Sequence, residues 1–91
     1  MNVKILIPTS LQRYTNNQAT LEYSVDTIDK LISNIETNFP EIKSHLTDDT
    51  GKLHRFLNFY LNNEDIRFLD NTKTKLKDGD EVSIISAIAG G

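Results

Sequence analysis

Ile28, Leu31, Ile32 and Ile35 recur at i, i+3, i+4 and i+7, which lays one apolar stripe along a single amphipathic helix. Asp26 or Thr27 can cap its start, because either side chain offers an oxygen to the unpaired N–H groups of a first turn. Pro40 stops it. Such a stripe must be buried against another layer, and the flanking runs supply one by alternating with a period of two. Val3, Ile5 and Ile7 alternate with Lys4 and Leu6 up to Pro8. Ala19, Leu21, Tyr23 and Val25 alternate with Thr20, Glu22 and Ser24, after a polar turn from Thr15 to Gln18. Together they predict an N-terminal hairpin.

Beyond the helix, residues 41 to 54 are polar and irregular, with room for one short helical turn holding Ile42 and Leu46. A third strand is predicted over 55–61, with Leu57, Phe59 and Leu61 toward the helix and Phe56, Asn58 and Tyr60 away from it. Asn62-Asn63-Glu64-Asp65 reads as a turn and Ile66-Arg67-Phe68 as a short fourth strand. Asp78-Gly79-Asp80 reads as a second, structural turn, in which the glycine supplies the turn angle, before a final strand from Glu81 to about Ala87. The order predicts an α+β fold, a mixed sheet of four to five strands with one main helix packed across it.

Ninety-one residues make a single domain, 1–91, and with 37% apolar residues it can bury a modest core but no deep substrate cavity. The net charge of −3 and the lack of a basic stripe argue against nucleic acid, since Lys73, Lys75 and Lys77 run at once into Asp78, Asp80 and Glu81. With no cysteine there is no disulfide framework, thiolate metal site or cysteine nucleophile. The apolar start, Val3 to Ile7, is too short for a signal core or a membrane span, so a cytoplasmic protein without membrane contact is expected. His45 and His54 lie nine apart with no third ligand of clear spacing, which argues against a metal site; His54-Arg55 is expected to order the loop or contact a partner. Asp48-Asp49 and Glu64-Asp65 fall in predicted turns and are expected to be solvated. No glycine loop cradles a phosphate, so ATP would have to bind elsewhere. Nothing here makes the chain an enzyme.

The chain end is different in kind. Of four glycines, two are Gly90 and Gly91, reached from the last strand through Ala87-Ile88-Ala89 with no polar linker. A terminal carboxylate, with a pKa of about 3.3–3.7, is an anion at neutral pH and a poor electrophile until activated, most simply as a mixed anhydride with AMP. An activating enzyme must close around that anhydride and exclude water. Glycines suit the narrow channel this requires, and a flexible tail of five extended residues, 87–91, reaches about 17 Å. Sulfide or a persulfide attacking the adenylate would leave a thiocarboxylate on Gly91; an attacking lysine would leave an isopeptide. Gly91 is therefore the predicted reacting residue, sulfur-bearing in the first outcome, with Gly90, Ala89, Ile88 and Ala87 as the thread inserted into a partner. Ile85 should point away from the helix, opposite Val82 and Ile84, and with Phe56 and Tyr60 it makes a predicted docking patch beside the tail.

The Asp78-Gly79-Asp80 turn, the Val82-Ser83-Ile84-Ile85 strand and the Gly90-Gly91 end together resemble the ThiS/MoaD family of ubiquitin-like sulfur carriers. A narrower resemblance, to the CysO-type carriers of the mycobacterial cysteine pathway, rests on several segments. They are Ile7-Pro8-Thr9, Thr15, Gln18, the run Gly51-Lys52-Leu53-His54-Arg55-Phe56 continuing through Asn58, Tyr60, Asn62, Glu64-Asp65 and Arg67-Phe68, and the ending Ala87-Ile88-Ala89-Gly90-Gly91.

The resemblance implies a β-grasp fold, a carrier that is monomeric when free and binds no cofactor itself, and three partners. An ubiquitin-activating-like adenylyltransferase/sulfurtransferase would use ATP to make the Gly91 adenylate and then the thiocarboxylate. A cysteine synthase dependent on pyridoxal phosphate would take the sulfur onto an aminoacrylate. A zinc-dependent peptidase would release cysteine and regenerate Gly90-Gly91. Sulfur donation to molybdopterin or thiamin thiazole, a ubiquitin-like modifier joined through Gly91, and an interaction domain with an idle tail are the alternatives.

Overall fold

The computed structural model describes residues 2–54 and 56–86. Among the described residues, five strands form one mixed sheet: β1 (Val3–Leu6), β2 (Thr20–Tyr23), β3 (Leu57–Leu61), β4 (Glu64–Asp65) and β5 (Glu81–Ser86), in the spatial order β2-β1-β5-β3-β4. β1 runs antiparallel to β2 and parallel to β5, while β5 is antiparallel to β3. The last strand of the chain therefore lies in the centre of the sheet, and this is the β-grasp arrangement expected from the sequence.

Helix α1 (Ile28–Asn38) crosses one face and buries the predicted stripe, with Ile28, Leu31 and Ile35 fully inaccessible. Against it stand the inward residues of the strands, Val3, Ile5, Leu21, Phe59, Val82 and Ile84. Thr27 is the cap: its hydroxyl accepts from the Lys30 N–H and donates to Asp29. Asp29 also accepts from the Lys73 ammonium at 3.0 Å. Those two hydrogen bonds, Thr27 first, hold its carboxyl below the usual carboxylate range. Pro40 ends α1 and opens a 3-10 turn, Pro40–Ile42, that leads into a short helix α2 (Lys43–Leu46). Ile42 and Leu46, the pair expected on that helical turn, are fully buried beneath it.

The predicted fourth strand is displaced. Ile66–Phe68 is a 3-10 turn, and the strand is β4, two residues earlier, so the turn after β3 shrinks to Asn62-Asn63 with φ of 50° and 74°. The cause is local. The Asp65 carboxylate accepts from the Arg67 N–H at 2.9 Å and grips the Arg67 guanidinium at 2.7 Å, which bends the backbone out of the ladder. Ile66 and Phe68 would share a face in a strand; here Ile66 is 2% exposed and Phe68 81%. Asp65 is itself buried rather than solvated. Phe56 sits in a turn before β3, with the Leu57 N–H bonding the His54 carbonyl, so β3 begins two residues later than expected. The predicted start of that strand at Arg55 lies outside the described residues, as does the expected strand residue Ala87.

Thr9–Tyr14 forms a 3-10 segment that the sequence pattern did not reveal. It inserts between β1 and β2 and carries Leu11 into the core.

Candidate functional site

The site is built from the C-terminal end of β5. Its neighbours there are Leu6, which pairs with Ser83, and Leu57, which pairs with Ser86. Alternation along the strand sends Val82 and Ile84 into the core and leaves Ile85 47% exposed on the sheet face away from α1. The predicted thread, Ala87, Ile88, Ala89, Gly90 and Gly91, follows Ser86 in sequence and lies outside the described residues.

Around this end of β5 runs a groove of ≈ 1040 Å³. One bank is Pro8 and the 3-10 segment, including Arg13 and Tyr14; the other is His54, Phe56 and Leu57. Ile85, Ser83 and Ser86 lie between them. Two stacked ring pairs stiffen the banks. Tyr14 and His45 stack at 4.3 Å, tying the 3-10 segment to α2, and His54 and Phe56 stack at 6.1 Å.

Of the predicted docking residues, Phe56 and Ile85 meet on this groove, both more than a third exposed. Tyr60 stands apart from it, half-buried and paired with Ser83 and Asp65 further along the sheet. His45 is exposed and stacks on Tyr14, while His54 is half-buried and stacks on Phe56. Arg13 and Tyr14 were missed, because the 3-10 segment that presents them has no helical or strand periodicity.

Further out on the 41–54 connection, the Asp48 carboxylate accepts from the Thr50 hydroxyl at 2.6 Å and from the N–H groups of Thr50 and Lys52. These bonds, the Thr50 hydroxyl foremost, hold its carboxyl below the ordinary range. They close a turn in which Gly51 adopts φ +84°. Asp48 is exposed, as expected, but it organises the loop leading to His54. Among the described residues, no three His, Cys, Asp or Glu side chains are grouped as metal ligands. No described helix is long and apolar enough to cross a membrane.

Comparison with known proteins agrees with this geometry. The ThiS family profile matches residues 5–91. The chain is 45% identical over 93 residues to the sulfur carrier protein CysO of Mycobacterium tuberculosis, with the whole of both chains covered. The crystal structure of that CysO superposes with a TM-score of 0.86 at 42% identity, covering 94% of this chain and 99% of that one. A chain of the Amycolatopsis orientalis BexX/CysO complex superposes with a TM-score of 0.89 at 38% identity, covering 98% of this chain and 99% of that one. The family and fold implied by the sequence resemblance therefore stand, and so does the carrier reading. This chain belongs to the ThiS family.

Proposed function

We infer that this chain is a sulfur carrier of the CysO type, activated at Gly91 and delivering sulfur for cysteine synthesis. The observation that carries the reading is the end-to-end likeness to a protein named as a sulfur carrier, on a fold whose central strand leads straight to the terminal Ala87–Gly91 segment. β5 is held on both sides, so the segment departs from a fixed base rather than from a fraying edge.

The chemistry runs in two steps. Attack of the Gly91 carboxylate on the α-phosphorus of ATP forms the acyl adenylate and expels pyrophosphate. Attack of a reduced sulfur nucleophile on that acyl carbon expels AMP and leaves the thiocarboxylate. A persulfide donor needs one further reductive cleavage of its S–S bond, supplied by a thiol of the sulfurtransferase. ATP belongs to the activating enzyme and pyridoxal phosphate to the acceptor synthase, while the zinc-dependent peptidase acts on the loaded product. The carrier contributes a reachable acyl group and the Phe56–Ile85 surface, performs no catalysis itself, and works in the cytoplasm as a monomer between encounters.

Intact-mass measurement tests the reading. The chain is incubated with the adenylating enzyme of the same organism, ATP and sulfide. Exchange of one oxygen for sulfur at Gly91 supports the carrier. Adducts to lysines of other proteins, without that exchange, would make it a modifier. Adding the synthase with O-phosphoserine or O-acetylserine should then give a cysteinyl adduct; its absence would move the sulfur to another pathway, such as thiamin thiazole or molybdopterin.

A further inference from the structure

The groove has a sign. None of the thirteen Asp and Glu residues of this net-acidic chain lines it, whereas Arg13, His45 and His54 all do. Arg13 is exposed and makes no hydrogen bond or ion pair with any described residue. It is thus a guanidinium held on a 3-10 segment that Leu11 anchors in the core, with its donors unspent among the described residues. Beside it the Tyr14–His45 stack fixes one imidazole, and across the groove the His54–Phe56 stack fixes the other.

The tail poses a recognition problem that this bank can solve. A thread ending Ala-Gly-Gly has few side chains with which to key its rotation in a channel, so the body must set the orientation. An apolar contact at Phe56 and Ile85 is non-directional. A local bank of donors on a chain of net charge −3 is directional. It repels a partner mouth that is basic all round and accepts one that is acidic on that side.

We propose that Arg13 and His45 on one bank and His54 on the other together receive an acidic segment of the adenylating partner, and so fix the rotation in which the tail is presented. This rests on the carrier reading. Arg13 is here a positioning residue, acting through docking geometry and not on the acyl group. The partner segment is carboxylate-bearing with an apolar edge, because the same groove also shows it Pro8 and Phe56.

The test is the steady-state rate of pyrophosphate release by that enzyme, with carrier concentration varied, at low and at 1 M salt. Arg13→Glu is compared with Lys30→Glu, which changes net charge equally but lies on α1, away from the groove. At low salt Arg13→Glu should lower kcat/KM about tenfold or more with kcat unchanged, Arg13→Gln should fall between, and Lys30→Glu should stay near wild type. At 1 M salt, where the screening length is about 3 Å, the deficit should largely vanish. A loss equal to that of Lys30→Glu, or one indifferent to salt, would overturn the proposal. Arg13→Gln decides the matter if glutamate disturbs the 3-10 segment. An unreactive wild-type carrier would overturn the carrier reading and this inference together, whereas a reactive wild type with an indifferent Arg13→Glu overturns only the latter.

Discussion

Ser86 faces Leu57 across the β3–β5 ladder, so strand pairing holds the chain to the residue before the Ala87–Gly91 thread. Whatever grips Gly91 is therefore registered against a sheet whose geometry is set only five residues away.

Removal of Gly91 should separate function from folding. The truncated chain keeps every described contact, so its thermal midpoint should equal that of the full chain. Mass spectrometry after incubation with ATP, sulfide and activating enzyme should show no thiocarboxylate. A truncated chain that still gained sulfur would place the carried group elsewhere.

Ile84 and Ile85 are adjacent in sequence and opposite in consequence. Ile84 is 2% exposed, and Ile84→Ala should lower unfolding free energy by about 2–5 kcal/mol in a urea titration. Ile85 faces solvent, so Ile85→Lys should change stability by no more than about 1 kcal/mol. The same variant should weaken carrier recognition, read as a raised KM for adenylation.

Gly79 adopts φ +87° with open space where a Cβ would stand. Its substitution by alanine should therefore destabilise through the backbone alone, by about 1–2 kcal/mol. Gly79→Asn, which tolerates the left-handed region better, should lose less than alanine despite its larger side chain. A greater loss from asparagine than from alanine would reveal crowding instead.

The Arg67 hydrogen bonds hold the Asp65 carboxyl below the usual carboxylate range. A carboxyl with a lowered folded pKa contributes stability above its unfolded value, about 3.9, and loses that contribution as pH falls through the folded value. Asp65→Asn should therefore be less stable than wild type at pH 7. The gap in urea midpoint should narrow steadily below about pH 4. A gap that stays constant to pH 2 would mean that Asp65 acts as a turn former without an ionic contribution.

The helix and the strand alternation were legible because each has a period, and the cap was legible to within two residues, Asp26 or Thr27, from its hydrogen-bonding chemistry. The Gly90-Gly91 end carries a chemical expectation and lies outside the described residues. What stayed hidden was the non-repeating backbone. Ile66-Arg67-Phe68 looks like a strand by composition, but the Asp65 carboxylate captures it two residues downstream. Likewise nothing in Thr9–Tyr14 announces a 3-10 segment, so the groove bank it makes with His45 emerges only when α2 packs beside it. Strand parity predicted Phe56, Tyr60 and Ile85 on one face; Phe56 comes to the groove from the turn before β3, and Tyr60, though it pairs with Ser83, is not among the groove's lining residues.

The placement of β5 also has a mechanical consequence. Its ladder to β1 is parallel and its ladder to β3 antiparallel, and a pull directed along β5 runs parallel to both. Tension in that direction, from an enzyme gripping the last residues, would load all those cross-strand bonds in shear together, not peel them one at a time as at a sheet margin. The body can thus withstand being tugged by whatever machine holds its terminus.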